Sequence, residues 1–224
     1  MADTIEFFFD VISPYVYLAD TILPALRARH PDVVIVHRPV LFAGLLKHWG
    51  QLGPAEIPSK RVFMFKDILR RAAEQGVPLR GPASHPFNPL TAQRAILAAA
   101  PEQRAAATTA IARAGWGEGA ELGDPAVLVA ALDRAGLPGA ALVARAGDPD
   151  IKAGLVAATE QAIALGVFGV PSFLVRGELV WGQDRLRDVR GRPRRPRPGH
   201  ARGGGAAADP PRLGEPPLIH TSSG

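Results

Sequence analysis

The spacing of apolar and polar positions changes character several times along the chain. Thr4 to Phe9 is a short, aromatic-rich apolar run of the kind that forms a largely buried strand. A break at Asp10-Val11-Ile12 leads to Ser13-Pro14, a hydroxyl residue followed by proline, which is the preferred order at a helix start. Leu18, Ile22 and Leu26 recur at four-residue spacing and predict a helix to about Arg29, with a kink where Pro24 removes a backbone hydrogen bond. Val33 to Val36 is β-branched throughout and predicts a second strand, and strand, helix and strand in this order favour a right-handed parallel crossover.

From about Lys60 to Leu165 the period becomes helical and alanine-rich, and Asp124-Pro125 and Asp148-Pro149 repeat the cap-then-proline start. Four to six helices fit there. Ser172 to Val175 and Glu178 to Trp181 then flank Arg176-Gly177, which predicts a hairpin with a two-residue turn, although Arg is not the favoured first residue. A last helix begins at Asp184 and runs to about Arg190. The order β-α-β, helical insertion, β-β-α is the thioredoxin-like layout, an α/β fold. It divides the chain into a thioredoxin-like domain at 1–59 and 166–190, an all-helical subdomain at 60–165, and a tail at 191–224.

Composition alters this picture mainly by exclusion. Cysteine is absent, so the protein's own thiols provide no disulfide, metal ligand or redox chemistry. The formal charge of +5 comes entirely from residues 190–224, where seven Arg face only Asp209 and Glu215. The remaining 19 basic and 19 acidic residues balance, so the body has no charge excess to attract phosphates. The same last 35 residues hold seven Pro and seven Gly, too little apolar surface to offset ordering entropy, and are expected to be disordered, as a natural flexible tail, an out-of-frame product or, least favoured by the neutral body, a nucleic-acid-binding arm. Asp3, Glu6 and Asp10 near the amino terminus do not read as a secretory signal, and no apolar run approaches the ~20 residues of a membrane span. A cytoplasmic protein with no nucleic-acid or membrane partner is the expectation. The six histidines lack paired metal-ligand spacing, and no metal is expected.

Ser13 carries the chemistry most directly readable from the residues. It sits between a buried strand and a helix start, where free N–H groups and the helix dipole favour an anion such as a thiolate. A serine with no nearby base is a poor nucleophile but a good hydrogen-bond donor, able to lower the pKa of a bound thiol. A plain N-cap role is compatible with the same position.

Phe9-Asp10-Val11-Ile12-Ser13-Pro14-Tyr15, Gly169-Val170-Pro171-Ser172-Phe173 and Trp181-Gly182-Gln183-Asp184-Arg185-Leu186 together resemble the signatures of 2-hydroxychromene-2-carboxylate isomerases and the related kappa-class glutathione transferases. Lys47, Pro58-Ser59-Lys60, Phe87-Asn88 and Gly115-Trp116-Gly117-Glu118-Gly119 extend the resemblance, which covers roughly Thr4 to Val189. It implies glutathione as cofactor, Ser13 as the catalytic residue where related oxidoreductases carry cysteine, and a cis Val170-Pro171 bond that exposes the Val170 backbone to the cysteinyl unit of glutathione. Gly182, Gln183 and Asp184 would hold the γ-glutamyl end and Lys60 the glycyl carboxylate. Lys47 and Asn88 would face an aromatic carboxylate substrate. Each has an ordinary reading as well: a trans strand-edge proline, a helix-start charge, solvated lysines. The function so implied is a glutathione-dependent isomerase of aromatic carboxylates, active as a homodimer in aromatic-compound catabolism. A kappa-like transferase or peroxidase, or a thioredoxin-fold binding module without catalysis, are the alternatives. Trp49, Trp116 and Trp181 read as packing residues.

Overall fold

The computed structural model describes residues 4–190; the tail expectations for residues 191–224 lie outside them. Four strands form one mixed sheet: β1 Thr4–Phe9, β2 Val34–Pro39, β3 Ser172–Val175 and β4 Glu178–Trp181, in the order β2-β1-β3-β4. β1 runs parallel to β2, across the crossover made by α1 (Pro14–Arg29), and antiparallel to β3, which pairs in turn with β4. β1, α1, β3 and β4 keep the bounds that the sequence predicts. Pro24 lies inside the continuous α1.

β2 is longer than its β-branched run. His37, Arg38 and Pro39 continue it because they pair with Phe7, Phe8 and Phe9, and Arg38 also meets Glu6 across the strands at 2.9 Å. Pro39 closes an edge strand, where a missing donor is tolerated. At the hairpin, Arg176 and Gly177 have φ of +52° and +84°, the left-handed pair that a type I′ turn requires.

Seven further α-helices are described: α2 Phe42–Trp49, α3 Pro58–Gln75, α4 Leu90–Ala98, α5 Arg104–Ala112, α6 Pro125–Arg134, α7 Gly139–Arg145 and α8 Pro149–Ala164. α3 to α8 make up the expected helical run, starting two residues before Lys60, whereas α2 was not anticipated. The turn after α5, Arg113–Gly117, is π-helical. The last helix, Gln183–Arg190, is 3-10 rather than α.

The even period of β1 puts Phe7 and Phe9 on one face, where Phe7 stacks on Phe173 of β3 at 5.0 Å and on Phe9 at 5.1 Å. One continuous apolar cluster runs from these rings through Val16 and Leu18 of α1 to Ile96, Ile111 and Leu128 of the inserted helices. Sheet and helices therefore share a core, and a loop at the end of β1 can be held from both.

Candidate active site

The register places two predicted site segments together. Phe8 pairs with Ser172, so the chain leaving β1 toward Ser13 and the chain entering β3 through Val170-Pro171 lie at the same end of the sheet. The Val170-Pro171 peptide is cis, as the resemblance implies; His85-Pro86 is a second cis peptide with no counterpart in the sequence reading. Ser172 Oγ donates to the Gly169 carbonyl at 2.7 Å, and the Pro171 carbonyl accepts the Gly182 N–H at 2.9 Å, which ties the start of β3 to the end of β4. Val170 main-chain groups form no hydrogen bond among the described residues.

Lys60, Val170, Pro171, Gly182, Gln183 and Asp184 all line one cleft of about 500 Å³. Its other walls include residues to which the sequence gives no site role: Tyr15 of α1, Phe63, Met64, Asp67 and Arg71 of α3, and Trp181, which is 55% exposed while its ring packs on Phe168 at 5.1 Å. Lys60, Phe63, Met64, Asp67 and Arg71 recur every three or four residues, a single helical face, and that spacing was the available signal. Tyr15 Oη donates to the Asp67 carboxylate at 2.9 Å, and Arg71 Nε approaches the same carboxylate at 3.5 Å. Burial first, then the Asp67 hydrogen bond, push the Tyr15 phenol well above the usual range, so it remains a donor.

The predicted residues differ in how they are engaged. Gln183 is buried and its Oε1 accepts from Gln75 Nε2 at 3.1 Å, so its side chain braces α3. Asp184 is half exposed, with Arg185 Nε 3.6 Å away. Gly182 has φ of +105°, and a Cβ there would sit 2.8 Å from Asp184 Oδ1, so glycine is required for the carboxylate to take its place. Lys60 is exposed and forms no ion pair among the described residues. Lys47, exposed on α2, and Asn88 do not line the cleft. Asn88 Oδ1 accepts the Leu90 N–H at 3.0 Å and so serves the start of α4.

Ser13 stands at the N-cap position of α1 with extended backbone, and its side chain makes no capping hydrogen bond. The residue is 9% exposed and, unlike Tyr15 two positions on, is not among the residues that line the cleft. Its N–H donates to the Asp10 carbonyl at 3.0 Å. The Asp10 carboxylate, fully buried, accepts the N–H groups of Ile12 and Phe42, yet burial still lifts its pKa to about 7. The hydroxyl at the positive end of α1 is thus free to donate to an anion.

The family model of the DSBA-like thioredoxin domain matches residues 4–192. A 2-hydroxychromene-2-carboxylate isomerase of Sphingobium xenophagum is 36% identical over 188 residues, 83% of this chain and 95% of that one. Glutathione S-transferase kappa 1 of Homo sapiens is 27% identical over 201 residues, 82% of this chain and 87% of that one. The solved structure of a 2-hydroxychromene-2-carboxylate isomerase superposes with a TM-score of 0.75 at 26% identity, covering 83% of this chain and 92% of the other. A thioredoxin-like sheet with helices between β2 and β3, a serine at the head of α1 and these likenesses over most of the chain lead to one assignment: the chain belongs to the DSBA-like thioredoxin family and, within it, to the 2-hydroxychromene-2-carboxylate isomerase family.

Proposed function

We propose that the protein is a glutathione-dependent isomerase of 2-hydroxychromene-2-carboxylate-like aromatic carboxylates, working as a cytoplasmic homodimer in aromatic-compound catabolism. The observation that carries this reading is Ser13: a hydroxyl at a helix N-terminus, left unspent by capping, two residues before Tyr15 of a cleft lined by a cis-proline turn.

The residues fit glutathione in charge and in backbone chemistry. Lys60 offers a cation for the glycyl carboxylate, and Asp184 an anion for the γ-glutamyl ammonium. The Val170 main chain, without a hydrogen bond among the described residues, can take the cysteinyl unit as a short added strand. Glutathione bound there would supply a nucleophilic thiol for reversible addition to a substrate double bond. Ser13 donates to the thiolate form, and the α1 N-terminus favours its charge. Tyr15, held by Asp67, closes the wall of the cleft.

A kappa-like transferase is the second reading. It is favoured by the carboxylate-binding candidates: Lys47 and Asn88 lie outside the cleft lining, and Asn88 Oδ1 is already engaged. Calorimetric titration with glutathione, followed by assays on chromene carboxylates and on transferase electrophiles with and without glutathione, separates the readings. Turnover of the chromene carboxylate only with glutathione is expected. Conjugation of electrophiles alone selects the transferase, glutathione binding without turnover selects a binding module, and no binding overturns all glutathione readings.

A further inference from the structure

The segment from Asp10 to Ser13 belongs to neither β1 nor α1, yet it is largely buried, so its main-chain groups need partners from elsewhere. Much of the support comes from far along the chain. Gln93 of α4, fully buried, donates Nε2 to the carbonyls of Phe9 at 2.9 Å and Val40 at 2.8 Å, and its Oε1 accepts the Val11 N–H at 3.3 Å. Trp116 donates its indole N–H to the Val11 carbonyl at 2.8 Å. His85 meets the Ile12 carbonyl through Nε2 at 3.1 Å; since a carbonyl only accepts, Nε2 carries the proton.

Trp116 is placed there by its neighbours. It lies in the π-helical turn Arg113–Gly117, and its own carbonyl accepts the N–H groups of Arg80 and Gly81. A Cβ at Gly115 would sit 2.5 Å from Leu122 Cδ1, and one at Gly117 2.9 Å from Tyr17 Oη, so the two glycines let the turn that carries Trp116 pack closely against Leu122 and Tyr17. Single π turns in helices recur at functional sites. The imidazole of His85 packs edge-on against Trp116 at 5.2 Å, so the two donors form one unit.

We propose that Trp116 and His85 are positioning residues for Ser13: their N–H groups pin the carbonyls of Val11 and Ile12, and thereby fix where the next residue aims its hydroxyl. Ser13 has no cap bond to orient it, so its placement depends on the main chain that precedes it. This inference rests on the proposed role of Ser13 toward a bound thiol.

The test is a double-mutant cycle read by the thiol pKa of bound glutathione in ultraviolet difference titration. Trp116→Phe and His85→Phe keep aromatic bulk and remove the N–H. Each is expected to raise the bound thiol pKa and to lower kcat by up to about 100-fold, the cost of a misplacement of ~1 Å, with little change in KM. In a Ser13→Ala background the same substitutions are expected to leave the thiol pKa unmoved, although any loss of stability persists. His85 is partly exposed, so His85→Phe decides alone if Trp116→Phe does not fold. A low, Ser13-dependent thiol pKa that both variants leave unchanged, or shifts of equal size in the Ser13→Ala background, overturn the positioning role. A wild-type protein whose bound thiol keeps its free pKa overturns the proposed function and this inference together.

Discussion

Asp10 accepts the Phe42 backbone N–H at 2.9 Å, which joins the end of β1 to the first turn of α2 through a carboxylate with no solvent exposure. The two hydrogen bonds to this carboxylate do not offset its burial, and its pKa stands at about 7 in the fold. Below the unfolded value of ~3.9 both states hold the proton, and the fold loses nothing. As pH rises from there to about 7 the unfolded chain ionises first, so stability falls through this window and is level above it. At ~1.4 kcal/mol per unit the loss is on the order of a few kcal/mol. Urea unfolding of wild type and Asp10→Asn across pH 4 to 8 is expected to show the variant gaining relative stability up to about pH 7. A constant difference between them contradicts the assignment.

Ser13→Ala removes a hydroxyl that caps nothing, so stability should change by less than the ~1 kcal/mol typical of a lost N-cap. The pKa of bound glutathione should rise and turnover fall, while glutathione affinity measured with the thiol protonated stays close to wild type. Melting curves and difference titration together check this, and an unmoved thiol pKa removes Ser13 from catalysis.

Asp184→Asn should weaken glutathione without changing the thiol pKa, because it acts at the γ-glutamyl end. A buried charge-assisted hydrogen bond would be worth ~1.5–3 kcal/mol. Asp184 is half exposed, so screening reduces the expected loss to about 1 kcal/mol, roughly fivefold in Kd. Equal affinity by calorimetry excludes it from the site.

Gly182→Ala forces a side chain into φ of +105° and against Asp184 Oδ1. A strain of about 1–3 kcal/mol is expected. Lower thermal stability should come with weaker glutathione binding, since Asp184 must move to admit the methyl group. A variant that melts and binds like wild type would show that the turn adapts without moving Asp184.

The sequence by itself determined the elements whose causes are local. β1, α1, β3 and β4 follow from an aromatic run, a serine-proline start, four-residue spacing and two short strands around a dipeptide turn, all relations among residues a few positions apart. Lys60, Val170, Pro171, Gly182, Gln183 and Asp184 were legible as a set through their joint motifs, and the fold brings them to one cleft. The extension of β2 through His37-Arg38-Pro39 was not legible, because its cause is the facing β1 strand. Only the tertiary structure decided that Asn88 serves a helix start, that Tyr15 answers to Asp67, 52 positions away, and that Trp116 reaches Val11 across 105 positions. A buried main-chain carbonyl requires a donor, but which donor the fold brings to it depends on how sheet and helices pack, and no local period records that.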